Sequence, residues 1–236
     1  MSGSLAESAS SAPQQELDCK VVLVGDSRCG KTSLVQRFVS DTFTEVYTPT
    51  GFQKYSVSYN VGDVKMLFAV WDTSGSLAYD SVRPLAYQDA QVFMLCFCVA
   101  DPDSLDNAVN KWYPEIREHC ANTAVILCGC QVDLRTDKQT VAELSLVFKS
   151  PVTSEQGVNV SRQVGATTYV ETSSRNSGKA VCDAFEIAAL AALGRLNMNT
   201  CLVSPRLTCG SGAPRSRSKV DLKAELKDRA KSCSVM

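Results

Sequence analysis

Lys20-Val21-Val22-Leu23-Val24-Gly25-Asp26-Ser27-Arg28-Cys29-Gly30-Lys31-Thr32 reads as a strand, a glycine loop and the first turn of a helix. Residues 20–24 are a short apolar run of β-branched type. Residues 25–32 fit G-x-x-x-x-G-K-[ST], the loop that cradles a nucleoside triphosphate. Gly25 and Gly30 let the backbone N–H groups of the loop, from Asp26 through Ser27, Arg28 and Cys29, turn inward toward phosphate oxygens. Lys31 is placed to reach the β- and γ-phosphates, and the Thr32 hydroxyl to bind Mg²⁺. Ser33 to Val39 continues with helical spacing and adds the positive end of a helix. The bland alternative is a glycine turn in an unrelated α/β domain, which would not require Lys31 and Thr32 at those positions.

The rest of the chain is consistent with one such unit. It has 236 residues with 44% hydrophobic content, which suits a single domain of roughly 180 residues plus tails. The net charge of −1 is unevenly spread. From Cys201 onward eight Lys/Arg face three Asp/Glu, a net of +5; the first 200 residues carry sixteen against twenty-two, a net of −6. A basic tail on an acidic body suggests an anionic partner for the tail. The eleven cysteines show no metal-ligand spacing, no signal peptide precedes the domain, and reduced cytosolic thiols are expected rather than disulfides. Val92 to Ala100, the longest apolar run, is too short to span a bilayer and reads as a buried strand. His119, the only histidine, falls at a helix end and reads as structural.

Strand signals fall at 19–24, 54–60, 65–71, 92–99, 124–129 and 168–172, with helical patterns near 31–39, 104–119, 154–164 and 179–193. The alternation implies an α/β fold: a six-stranded, mostly parallel sheet with helices on both faces. The runs 54–60 and 65–71, joined by Asn60-Val61-Gly62-Asp63-Val64, form a hairpin, so one strand is antiparallel. Residues 1–17 are read as a disordered extension, 18–196 as the domain, and 197–236 as a flexible basic tail.

Two further elements address the same ligand. Asp72-Thr73-Ser74-Gly75 follows the strand ending in Trp71 and matches D-x-x-G: the Asp is expected to hold Mg²⁺ through water and the Gly75 N–H to meet the γ-phosphate. In Tyr47-Thr48-Pro49-Thr50 the Thr50 hydroxyl completes the Mg²⁺ shell. With Trp71-Asp72-Thr73-Ser74-Gly75-Ser76, Asp80 to Tyr87, Lys111-Trp112-Tyr113-Pro114-Glu115-Ile116 and an inserted polar segment near Asp137–Ser150, the chain resembles Rho-family small GTPases over about residues 19–196. Ser76 after D-T-S-G, Cys130 and the terminal Lys231-Ser232-Cys233-Ser234-Val235-Met236 bring it nearest to the atypical Rnd subfamily. The resemblance implies GTP and Mg²⁺ as ligands, with the P-loop fold of that family.

Departures from the family pattern concentrate on hydrolysis. Cycling members carry Gly at Ser27, Ala at Ser74 and Gln at Ser76. The Gln orients the attacking water, and an arginine supplied by an activating protein contributes about 10³–10⁵ in rate. Ser76 is too short for the first task, and the Ser27 side chain crowds the second. The Mg²⁺ set Thr32, Thr50 and Asp72 is intact, so binding without turnover is expected. The base-reading N-K-x-D is Cys130-Gln131-Val132-Asp133; Asp133 can still accept from guanine N1 and N2. Ser173-Ser174-Arg175 stands for the loop that contacts the guanine oxygen, and Phe43 for the aromatic packed on the base. A cycling GTP hydrolase and a nucleotide-poor scaffold are the alternative readings.

By resemblance, residues 43–55 and 72–87 would engage effectors: Rho-directed GTPase-activating proteins, Rho-dependent kinases or plexin-type receptors, in control of the actin cytoskeleton and against Rho signalling. Gly51, Gln53 and Lys54 depart from the Rho effector loop. Cys233-Ser234-Val235-Met236 is a C-a-a-X box, a prenyltransferase substrate in which Met favours farnesyl. Lys223, Lys227, Arg229 and Lys231 supply the second, basic signal for an anionic membrane surface. The protein is thus expected on the cytoplasmic face of membranes with a cytosolic pool, as a monomer and without a nucleic-acid partner.

Overall fold

The computed structural model describes residues 16–194 apart from residue 63. The extension before residue 16, the tail from 195 onward, Cys201, Cys209 and the lipidation motif at Cys233 lie outside the described residues. A six-stranded sheet runs in the order β2-β3-β1-β4-β5-β6, built from β1 (Glu16–Gly25), β2 (Phe52–Val61), β3 (Val64–Thr73), β4 (Val92–Cys98), β5 (Ala124–Cys130) and β6 (Thr168–Glu171). β2 and β3 pair antiparallel; every other pairing is parallel. Gly62, at φ +62°, turns the hairpin.

β4 shows why both faces are covered. Val92, Met94, Cys96 and Cys98 pack in the core beneath α1 (Lys31–Ser40) and α6 (Gly178–Ala192). Phe93, Leu95, Phe97 and Val99 pack in the opposite core. An uninterrupted apolar run is what a strand buried on both sides requires. Phe38 of α1 stacks on Phe185 of α6, centroids 3.9 Å apart, and meets the edge of Phe68.

Three expectations are corrected. β1 begins at Glu16, inside the stretch read as disordered, because Glu16 pairs in register with Lys65 and accepts from its ammonium. The pattern at 104–119 is not one helix but α2 (Pro102–Asn107), a π turn (Ala108–Trp112) and α3 (Tyr113–His119). Pro114 lacks the N–H that a continuous ladder needs, and the wider turn absorbs the break. The polar insert holds a helix, α4 (Lys138–Leu146), capped by the Asp137 carboxylate, which accepts from Thr140 N–H at 2.8 Å. α4 buries none of its residues, so no apolar stripe announced it. α5 (Ser154–Gln163) begins on a Thr153/Gln156 capping box, and α6 on a Ser177 cap. No helix among the described residues is long and apolar enough to cross a membrane.

Candidate functional site

Most loops carrying expected ligand contacts leave the carboxyl ends of the parallel strands, where ligands bind in open α/β sheets; Phe43, Tyr47 and Thr50 come from the segment between α1 and β2. β1 delivers residues 25–32, β3 delivers Asp72 to Ser76, β5 delivers Cys130 to Asp133, and β6 delivers Ser173 and Ser174. Between them lies a cleft of about 340 Å³. Ser27, Arg28, Gly30, Lys31, Thr32, Phe43, Tyr47, Thr50, Ser74, Gly75, Cys130, Gln131, Asp133 and Ser174 all line it.

Gly30 sits at φ +105°, a conformation that L side chains rarely adopt, and a Cβ there would come within 3.2 Å of the Cys130 Cβ. A Cβ at Gly75 would fall 2.3 Å from Ser27 N, so the D-x-x-G turn lies directly on the phosphate loop. Lys31 is buried, and its ammonium donates to the carbonyls of Gly25 (2.9 Å) and Asp26 (2.8 Å).

Three hard oxygens converge beside it. Thr32 Oγ1 donates to Asp72 Oδ2 at 2.6 Å and lies 2.7 Å from Thr50 Oγ1. Asp72 is fully buried, and its Oδ1 has no hydrogen-bond partner. Burial raises its carboxyl above the usual range, against the pull of the Thr32 hydroxyl and Lys31. An unpartnered buried carboxylate oxygen beside two hydroxyls fits a hard cation such as Mg²⁺, which takes oxygen donors and shares phosphate oxygens. Thr32, Thr50 and Asp72 are the residues that would hold it. When bound it would neutralise charge on the phosphates.

Five expected ligand residues, Gly25, Asp26, Cys29, Asp72 and Ser173, do not line the cleft. The Asp26 carboxylate turns away and accepts from Asn107 Nδ2 and Trp112 Nε1, each at 2.7 Å. Cys29 is buried beneath the loop, where desolvation pushes its thiol up to about 12. Gly25 is likewise absent from the lining. Ser173 lies behind Asp133: its hydroxyl donates to Asp133 Oδ1 at 2.5 Å, fixing the carboxylate expected to read the base. Of the hydrolytic positions, Ser76 is committed elsewhere. Its hydroxyl accepts from Ala78 N–H at 3.3 Å and caps the short 3-10 turn Leu77–Tyr79.

The structure also shows contacts that the sequence did not announce. Gln131 Nε2 donates to the Arg28 carbonyl at 2.9 Å, and its Oε1 accepts from the Cys98 thiol at 3.4 Å. The base loop is thereby tied to the phosphate loop through Gln131. Switch I is drawn over the cleft from both ends: Arg28 stacks on Tyr47 at 5.0 Å, and Arg175 stacks on Phe43 and pairs with Glu45 at 2.7 Å. Gly51 brings the two switch segments together, since a Cβ there would lie 3.0 Å from Tyr79 Oη.

The family model described as "Ras family" matches residues 20–193. The chain is 43% identical over 227 residues to Rho-related GTP-binding protein RhoE of Homo sapiens, covering 95% of this chain and 93% of that one. It is 44% identical over 179 residues to GTP-binding protein rho5 of Schizosaccharomyces pombe, covering 75% and 88%. The chain belongs to the Ras family of small GTPases. Its relatives place it on the Rho side of that family, as a Rho/Rnd-type GTP-binding protein. A Ras-family chain is accordingly a guanine-nucleotide-binding protein, and a Rho-type GTPase has effectors and regulators as partners. Val46, Leu77 and Leu85, in segments 43–55 and 72–87, are exposed, at 76%, 74% and 76%.

Proposed function

We propose that the protein is a membrane-anchored switch that holds GTP and Mg²⁺ with little or no hydrolysis. The observation that carries the reading is the contrast within one cleft. Thr32, Thr50 and the unpartnered Asp72 oxygen retain the makings of a cation site, while the position that should orient water holds Ser76, its hydroxyl spent on a helix cap. Effectors of the Rnd type are the proposed readers: Rho-directed activating proteins, Rho-dependent kinases or plexin-type receptors. Recruiting them would oppose Rho signalling to actin.

Nucleotide extracted from purified protein should be mostly GTP. Mainly GDP would indicate a cycling hydrolase, and an empty, folded protein a scaffold; either result sinks the proposal. Gln131→Ala removes the tie to Arg28, and a lost hydrogen bond between loops costs about 1 kcal/mol. GTP release from that variant should therefore quicken about fivefold, as followed with a fluorescent analogue.

The anchor is proposed to be a prenyl group on Cys233 acting with the basic tail. Cys233→Ser should move the protein from the membrane pellet to the soluble fraction; unchanged partitioning would count against lipidation.

A further inference from the structure

β4 and β5 carry the same short pattern, Cys96-Phe97-Cys98 and Cys128-Gly129-Cys130. Residues two apart on a strand face one side of the sheet. The parallel register sets Cys96 beside Cys128 and Cys98 beside Cys130. Four thiols therefore form a two-by-two array in the core beneath α1 and α6. Cys98 is engaged with Gln131. The other three converge: the Sγ atoms of Cys96, Cys128 and Cys130 all lie within 4.8 Å of one another. Cys128 and Cys130 Sγ are 3.9 Å apart. Three sulfurs around an ion with metal–thiolate bonds of about 2.3 Å sit about 4 Å from each other in a trigonal arrangement. One edge of that triangle is already formed, and the other two are no longer than 4.8 Å.

We propose that Cys96, Cys128 and Cys130 form a binding site for one Cu(I) ion. Thiolate sulfur is the donor that selects this soft cation. Structural zinc takes four ligands, and among the described residues no fourth thiol, imidazole or carboxylate joins the group. All three sulfurs are shielded from solvent, at 0%, 0% and 2% exposure, which protects a cuprous ion from oxidation. Thr172 Oγ1, 3.7 Å from Cys128 Sγ, offers an outer hydrogen bond to the thiolate, the kind of support that tunes a metal ligand. Of the three, Cys130 also lines the cleft. Coordination exchanges thiol protons for the ion and releases them to solvent, with no change in oxidation state.

The test uses the full chain with Cys201, Cys209 and Cys233 replaced by Ser, so that sulfurs in the tail do not compete. Cu(I) is supplied anaerobically as its bathocuproine complex, under reducing conditions. One copper per chain should be withdrawn from the chelator, and absorption at the copper edge should report three sulfur neighbours. Cys128→Ala should weaken retention at least tenfold while Cys98→Ser leaves it unchanged. Cys96→Ala serves the same purpose should the first variant fail to fold. No transfer from the chelator, a shell of two sulfurs, equal retention by the Cys128 or Cys96 variant, or loss in Cys98→Ser would each overturn the site.

Discussion

A Ser27→Gly, Ser76→Gln double variant should turn GTP over on the order of 10³-fold faster than the parent when a Rho-directed activating protein is present. By the family resemblance, the two positions are expected to serve one transition state. Gly75 packs on the backbone at Ser27, with a Cβ there only 2.3 Å from Ser27 N. Ser27 lines the cleft, and Ser76 follows one residue beyond the contact. Gln at 76 restores a side chain long enough to orient water. It also gives up the cap on Leu77–Tyr79, at a cost of about 1 kcal/mol. A small drop in melting temperature should thus accompany the gain in rate. Residues that serve one transition state are far from additive, so each single variant should recover much less than its half share. Single-turnover hydrolysis of preloaded GTP is the measurement. A double variant as inert as the parent, with GTP and Mg²⁺ bound, would place the defect elsewhere in the cleft.

The phosphate loop and D-x-x-G were legible because each fixed position answers a local demand. Gly30 is set by its own φ, Gly75 by the backbone it touches, and Lys31 and Thr32 by where a helix begins. The burial of β4 on both faces was legible for the same reason: every residue of the run is apolar. What stayed hidden depends on partners distant in the chain. Gln131 meets Arg28 across 103 residues, and Asp26 meets Trp112 across 86. Neither pairing leaves a mark on local composition. The two Cys-x-Cys segments were visible as text, and their spacing alone suggested no metal site. Only the register of β4 against β5 brings three of the thiols together. The break at Ala108–Trp112 was within reach, since Pro114 stood in the sequence, but helical periodicity on either side masked it.

Arg83→Ala should destabilise the fold by about 3–5 kcal/mol, the usual cost of removing one partner from a buried ion pair. In a domain of this size that is a fall in melting temperature of about 10 °C. Arg83 is fully buried although it lies in a short turn of the second switch segment. Its guanidinium donates to both Glu115 oxygens, to Asp80 Oδ1 and to the Ser74 carbonyl, and it stacks on Trp112 at 4.4 Å. Tyr87 donates to the same Glu115, and burial beside that carboxylate holds its hydroxyl well above its ordinary range. Removing the guanidinium leaves Glu115 charged, mostly enclosed and paired only with a phenol. The exposed pair Lys149–Asp103 is the natural control: Lys149→Ala should have little effect and depend on salt, whereas the Arg83 effect should not. A paired replacement, Arg83→Met with Glu115→Leu, should recover most of the stability, because the penalty lies in the stranded charge. It should not recover nucleotide retention. Trp112 joins Arg83 to the Asp26 carboxylate, and Arg83 also holds the Ser74 carbonyl two residues from Asp72. The arginine therefore links the second switch segment to the phosphate loop, and an apolar substitute fills its volume without making that link. Chemical denaturation beside nucleotide-release rates separates the two roles. A single Arg83→Ala costing less than about 1 kcal/mol, the range of an exposed pair, would remove the basis for both.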